Sequence, residues 1–344
     1  MGLPFRDLVR SKEIPWESLA GKTLAVDAYN AIYQFLATIR QRDGRPFTDP
    51  SGQPTSHLIG LFYRTTSLLS DGVLPIWVFD GKPPDLKAGT LRSRFLVKER
   101  AQADWEKALA EGDLPTARRK AAQTSRLTRT MAEEAKRLLE ALGVPTIQAP
   151  SEGEAQAAAM ARDGVVWGVA SEDYDALLFG GPRLVRGLAA RGGRSARTAA
   201  HLIDRDELLA QLGVSGEELI LIGVLVGTDF NDGAPGFGPK KALKLAQQHL
   251  GWEATLRAAG LDPGEVEPVA ELFRHPEVVP SSVPPFGPVD AALVEQILVD
   301  GHGFSPERVR AAVARARRRP VPKDLTVEAK GRQTLLDAFG GSQA

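Results

Sequence analysis

Short apolar runs alternate along this chain with stretches whose apolar residues recur at helical spacing. Gly21–Asp27 (GKTLAVD) reads as a strand ending in an acid, and Ala28–Arg40 after it as a helix. His57–Leu69 places Leu58, Leu61, Phe62, Leu68 and Leu69 on one helical face. Leu74–Asp80 (LPIWVFD) repeats the first form, then meets Gly81-Lys82-Pro83-Pro84, where a helix cannot continue. Val144–Ile147 follows a helix closed by Gly143, and Val165–Ala170 is a further apolar run. Strands separated by helices predict an α/β fold: a mainly parallel, twisted sheet with helices on both faces. Ligands in such a fold lie beyond the carboxyl ends of the strands, which is where Asp27, Asp80, Asp173 and Asp175 fall.

Residues 86–130 depart from this pattern. Arg and Lys are dense and apolar spacing is weak, which predicts two helices broken near Gly112–Pro115. They form either an arch over the sheet edge or a solvated surface pair. Gly216–Val226 reads as an apolar helix ending at Gly227-Thr228-Asp229. A glycine-rich turn then leads into a helix over Lys240–Leu250, with Pro239 suited to its first turn. Residues 262–290, rich in Pro and acid, are expected to wrap the surface. Ser305 caps another helix, and the chain from Pro320 reads as irregular. No apolar run reaches the length of a membrane span, and the amino-terminal residues have no apolar signal core.

Length and charge narrow the picture. The 344 residues suffice for one large domain or two ordinary ones. The absence of cysteine excludes disulfides, thiolate zinc sites and cysteine nucleophiles, and suits a cytoplasmic protein. The formal charge is zero, with 43 basic and 43 acidic residues, but it is unevenly spread. Residues 82–137 carry 14 Lys/Arg against 8 Asp/Glu, and Arg308–Arg319 has six arginines and no acid. A neutral total can thus hold a basic face beside an acidic pocket.

Seven acids stand at joints between elements: Asp27, Asp80, Glu152, Glu154, Asp173, Asp175 and Asp229. Taken singly they have simpler readings. Ser151-x-x-Glu154 fits a capping box, and a strand-end aspartate often only starts a turn. Taken together they suit hard divalent cations, which prefer oxygen ligands. Two such ions, roughly 3.5–4 Å apart, can clamp a phosphodiester. Without metal the acids would repel and some would keep protons. Gly236 and Gly238 would let backbone approach phosphate, with Lys240 and Lys241 in reach, or the turn is an ordinary helix connection. Tyr29 and Tyr33 are core residues, or Tyr33 stacks on a base.

The segments VDAYNAIYQFL (26–36), VFDGKPPDLK (78–87), APSEGEAQAA (149–158), ASEDYDALLFG (170–180) and VGTDFNDGAPGFGPKKA (226–242) resemble the structure-specific 5′ flap endonucleases. These belong to the XPG/Rad2-like nuclease superfamily, and the archaeal branch is the nearer. The likeness runs from about residue 1 to 318. It implies a PIN-like nuclease core, with an amino-terminal region at 1–100, a helical arch at 86–130 and an internal region at 131–255. It also implies a helix–two-turn–helix at about 217–250, wrapping helices at 256–319 and a flexible tail at 320–344.

The resemblance further assigns roles. The seven acids become ligands of two Mg2+ (or Mn2+) ions, with Asp27, Asp80, Glu152 and Glu154 expected on the catalytic ion and Asp173, Asp175 and Asp229 on the other. Lys87 and Arg94 become the basic pair on the scissile phosphate, and Tyr33 the aromatic beside the cleaved nucleotide. Gly236–Lys241 becomes a duplex grip whose carbonyls can hold K+. Gln333, Leu336 and Phe339 resemble a motif for the sliding clamp PCNA, weakened by Gly340 in place of a second aromatic. The implied protein is a monomeric, cytoplasmic, nucleoid-associated hydrolase. It acts on 5′ flap DNA in Okazaki fragment processing and base excision repair, with 5′-3′ exonuclease activity. The alternatives are another nuclease of the superfamily acting mainly as a 5′ exonuclease or on bubbles or junctions, a two-metal phosphomonoesterase, and a non-catalytic, clamp-tethered DNA-binding factor. Two departures stand out: the linking region 187–201 is short, and Pro235 stiffens the turn before Gly236.

Overall fold

The computed structural model describes residues 5–188, 199–282 and 285–317. In its first half, β1 (Lys12–Ile14) precedes β2 (Thr23–Asp27), α1 (Ala28–Thr38), α2 (Ser56–Ser70) and β3 (Leu74–Phe79). The arch segment follows as α3 (Ala88–Ala110) and α4 (Leu114–Ala121). Then come α5 (Arg129–Ala141), β4 (Thr146–Gln148), α6 (Gly153–Arg162), β5 (Gly168–Ala170), α7 (Asp175–Leu178), β6 (Arg183–Arg186) and β7 (Ala200–Asp204). The remaining helices are α8 (Arg205–Leu212), α9 (Gly216–Val226), α10 (Pro239–Ala246), α11 (Trp252–Ala258), α12 (Pro263–Arg274), α13 (Ala291–Glu295) and α14 (Pro306–Ala316).

The strands form one sheet in the order β1-β7-β6-β5-β2-β3-β4. From β6 to β4 every pairing is parallel, while β7 and β1 extend the sheet with antiparallel pairings. The central strands are apolar throughout because both faces are covered: all six residues of β3 are buried. α1 and α2 pack together on β3, while α6 lies across β2, β3 and β5. Register brings the strand ends level, with Asp27 opposite Val78 and Val26 opposite Ala170. The acids that follow therefore rise from one edge.

Several local readings shift. β5 is shorter than the run from Val165, because Val165 and Val166 are held by the end of α6, both donating to the Met160 carbonyl. The Pro- and acid-rich stretch read from composition as surface wrapping contains the helix α12, started by Asp262, whose carboxylate accepts from the Gly264 amide. α10 ends at Ala246, four residues early, ahead of His249 in the left-handed region. The arch breaks at Gly112 (φ +73°), but Pro115 sits inside the first turn of α4, capped by Asp113. Its two helices meet through small residues, Ala101, Ala108, Ala117 and Ala121, all buried. That packing leaves long basic side chains facing outward. Away from this edge, a polar tie joins α2, α5 and the turn before α14. His57 Nε2 lies 3.2 Å from Glu134, and His302 Nδ1 lies 3.0 Å from Asp49.

Candidate metal centre and nucleic-acid interface

Each acid is placed by a local device. Asp27 ends β2 and caps α1, accepting the Asn30 amide at 3.0 Å. Asp80, one residue beyond β3, accepts the Gly153 amide at 2.9 Å. A β-carbon at Gly153 would stand 2.5 Å from Asp80 Oδ1, so any larger residue there would push the Asp80 carboxylate from its place. Glu152 flanks that start. Glu154, in the first turn of α6, does not complete a capping box with Ser151. Its Oε1 accepts instead from the Ser171 hydroxyl at 2.6 Å, across the sheet edge. Asp173 accepts the Tyr174 amide at 2.8 Å, and Asp175 opens α7.

Asp229 sits in a turn braced by Thr228 and Asn231, whose hydroxyl and amide oxygen are 2.9 Å apart. Asn231 also donates to the Val224 carbonyl at 2.8 Å. Gly233 (φ +79°) closes this turn, where a β-carbon would meet the Gly227 nitrogen at 2.6 Å.

The acids converge. Ligand oxygens of Glu154, Asp173 and Asp175 all lie within 4.8 Å of one another. Asp27 and Asp175 are only 7% and 4% exposed. Burial, then Asp80, raises the Asp27 carboxyl well above its usual range. Asp80 is pushed up to about 6 by burial and then by Glu152. Burial raises Glu154, helped by Asp173, Asp27 and Asp175, and raises Asp175, helped by Asp173 and Asp229. These mutual repulsions tie all seven acids into one cluster. The donor set is all oxygen, and buried Asp175 Oδ1 has no hydrogen-bond partner. Both features fit a divalent cation, which supplies the missing partner and relieves the repulsion. Glu154 stands between the two expected sets, within 4.8 Å of Asp173 and Asp175 and also repelled by Asp27.

Two cations reach the cluster from the arch. Lys87 Nζ lies 2.5 Å from Glu152 and 3.7 Å from Asp229. Burial alone would lower the Lys87 ammonium, but Glu152, Asp229 and Asp80 outweigh it and hold it raised. Arg94 meets Asp229 at 2.5 Å and keeps 36% of its side chain exposed. Tyr29 packs edge-on against Phe79 in the core. Tyr33, one turn on, is 37% exposed, with Lys98 of α3 4.6 Å above its ring. At the other end of the interface, Gly236, Gly238, Lys240 and Lys241 are exposed, and Gly238 leads into the first turn of α10. Lys241 lies 3.9 Å over the Phe237 ring. The clamp-motif residues Gln333, Leu336 and Phe339, and most of the short link at 189–198, lie outside the described residues. Sequence patterning alone does not single out Ser171, Gly153, Thr228 or Asn231. The one signal they carry is their position next to a strand end or an acid.

A parallel sheet that gathers buried carboxylates at its carboxyl edge, beneath lysine and arginine from a basic arch, defines a metal-dependent phosphodiesterase of the nuclease class. Comparison with known proteins agrees. The XPG N-terminal domain model matches residues 4–102 and the XPG I-region model residues 143–229. Flap endonuclease 1 of Hyperthermus butylicus is 44% identical over 98% of this chain and 99% of its own length. That of Aeropyrum pernix is 43% identical over 99% and 100%. The structure of flap endonuclease-1 from Methanococcus jannaschii superposes with a TM-score of 0.73 at 38% identity, covering 92% of this chain and 98% of that one. The chain belongs to the flap endonuclease 1 family: it is a structure-specific nuclease, a hydrolase of DNA phosphodiester bonds. No single described helix is long and apolar enough to cross a membrane.

Proposed function

We propose that this enzyme cuts 5′ flap DNA, and 5′ ends more slowly, near the junction of single strand and duplex, in Okazaki fragment processing and base excision repair. The observation that carries this reading is the meeting of seven acids with Lys87 and Arg94 at the foot of the arch. Asp27, Asp80, Glu152, Glu154, Asp173, Asp175 and Asp229 hold two Mg2+ ions, or Mn2+. Bound there, such ions supply Lewis acidity and lower the pKa of a water. Lys87 and Arg94 turn from their carboxylates toward the scissile phosphate and offset the charge that develops on it. Tyr33 stacks on the neighbouring base. The turn from Gly236 to Lys241 holds duplex backbone without reading sequence, and its carbonyls can take a K+.

In this reading residues 1–100 and 131–255 form the nuclease core, 86–130 the flap-selecting arch and 256–319 its wrapping. The tail at 320–344 reaches a sliding clamp through Gln333, Leu336 and Phe339. The enzyme works as a monomer in the cytoplasm at the nucleoid.

The test is a labelled double-flap substrate with Mg2+, run beside nicked, bubble and four-way substrates. Rapid cutting of the flap, abolished by Asp175→Asn, is expected. Faster cutting of a bubble or four-way junction, or full activity in Asp175→Asn, would overturn it.

A further inference from the structure

The acid cluster is touched directly by the hydroxyl of Ser171. It is the first residue past β5, and the strand register sets it level with Asp27. It is only 5% exposed. Its Oγ donates to Glu154 Oε1 at 2.6 Å and accepts the backbone amide of Asp173 at 3.1 Å. A hydroxyl has one proton and spare lone pairs, so both bonds form at once, and each polarises the other. The chain amide–hydroxyl–carboxylate joins two of the three acids whose oxygens lie within 4.8 Å. Those two come from different elements, α6 and the loop before α7, with no covalent reason to keep their spacing.

Other partners of this loop do not do the same work. The Glu172 amide meets Asn30 Oδ1 at a loose 3.4 Å, and Glu172 itself turns away to the Gly187 amide at 2.6 Å. The charge-assisted bond from Ser171 is therefore the short, buried link across the Glu154–Asp173 gap. It also partly opposes the rise that burial imposes on Glu154.

We infer that Ser171 is a positioning residue for the divalent-metal site: its hydroxyl fixes the Glu154 carboxylate and the Asp173 loop at the spacing a cation needs, before the cation arrives. Pre-set ligands spare the ion the cost of ordering them, and groups that orient metal ligands typically change metal affinity or activity by about 10–100-fold. Ser171 is buried beneath the acids. Its loss acts on metal affinity and kcat, not on KM for the flap substrate.

The inference rests on the metal reading of the acid cluster, and the experiment separates the two. The full chain, stripped of metal, is titrated with Mn2+ by calorimetry as wild type, Ser171→Thr, Ser171→Val, Ser171→Ala and Asp175→Asn. Thr and Val are near in shape, so the pair isolates the hydroxyl from volume. Ser171→Thr should stay within about threefold of wild type, and Ser171→Val and Ser171→Ala should bind Mn2+ about 10–100-fold more weakly. If the bulk of Val prevents folding, Ser171→Ala and its Mn2+-dependent rise in melting temperature carry the comparison. That rise should shrink while the melting temperature in chelator changes little, whereas a merely structural serine would lower both alike. Ser171→Ala binding Mn2+ as wild type does, with Asp175→Asn weakened, would overturn the role of Ser171 alone. Wild type that takes up no Mn2+ would overturn the metal reading and this inference with it.

Discussion

Metal should stabilise this enzyme more as pH rises from 5 to 7, and the size of the effect follows from Asp80. In the metal-free fold its carboxyl titrates at about 6, lifted from 3.8 by burial and then by Glu152. A carboxyl raised on folding keeps a proton that the unfolded chain has released. The penalty is therefore absent below about pH 4, grows as pH climbs from about 4 to 6, and stays constant above 6. The rise from 3.8 to about 6, at about 1.4 kcal/mol per pH unit, costs about 3 kcal/mol. Asp27, Glu154 and Asp175, raised in the same direction, extend the loss to higher pH. A divalent ion accepts these groups ionised and removes the penalty.

About half of this penalty is already present at pH 5, so about 1.3 kcal/mol falls between pH 5 and 7, which for 344 residues at about 2.1 cal/mol/K each corresponds to roughly 2 °C. The assay is a melting series at pH 5, 6 and 7 in chelator and in saturating Mg2+, read as the difference between the two. Taking the difference cancels His57, held low first by burial, whose contribution runs the other way and which lies away from the cluster. Asp49, held at about 2 first by Ser51, contributes a stability that is constant above about pH 4 and is lost only as pH falls toward 2, so it does not vary across this range. A metal-dependent gain that is flat or shrinks between pH 5 and 7 would refute the reasoning.

Other outcomes follow from single contacts. Asp175→Asn should cut flap cleavage by more than about 100-fold, yet raise the metal-free melting temperature at pH 7, since it removes a buried charge without a donor. Lys87→Met should lower single-turnover cleavage by about 100–1,000-fold. It should also cost about 3 kcal/mol in metal-free urea unfolding, because Glu152 and Asp229 lose the cation between them. Gly233→Ala forces a β-carbon to 2.6 Å from the Gly227 nitrogen at a left-handed φ, so urea unfolding should show a loss of about 1–3 kcal/mol.

The sheet and its acids were readable because parallel strands buried on both sides are uninterrupted apolar runs, and β3 is a clear case. The outer strands were not. β1, β6 and β7 span only three to five residues each and are not buried throughout, so they are too short and too mixed to stand out from loops. Glu154 shows the limit of local rules. Its spacing from Ser151 is that of a capping box, but a hydroxyl 17 residues further on competes for the same carboxylate and wins. α12 was hidden by its prolines, although Pro263 occupies the first turn, where a missing amide costs nothing. The pairing of Lys87 with Glu152 spans 65 residues and no periodicity reports it.

Gly227 to Gly233 have a meaning beyond geometry. The turn they frame delivers Asp229, the acid furthest along the chain, to a cluster whose first member is Asp27. A growing chain that has reached α7 already holds six of the seven acids, together with Lys87 and Arg94, but the pocket lacks its last wall. The order of synthesis thus leaves the acid cluster incomplete until α9 and the turn after it have been made. The turn that completes the acid cluster is followed directly by the glycine turn and α10, so the last acid and that exposed basic turn enter the fold together.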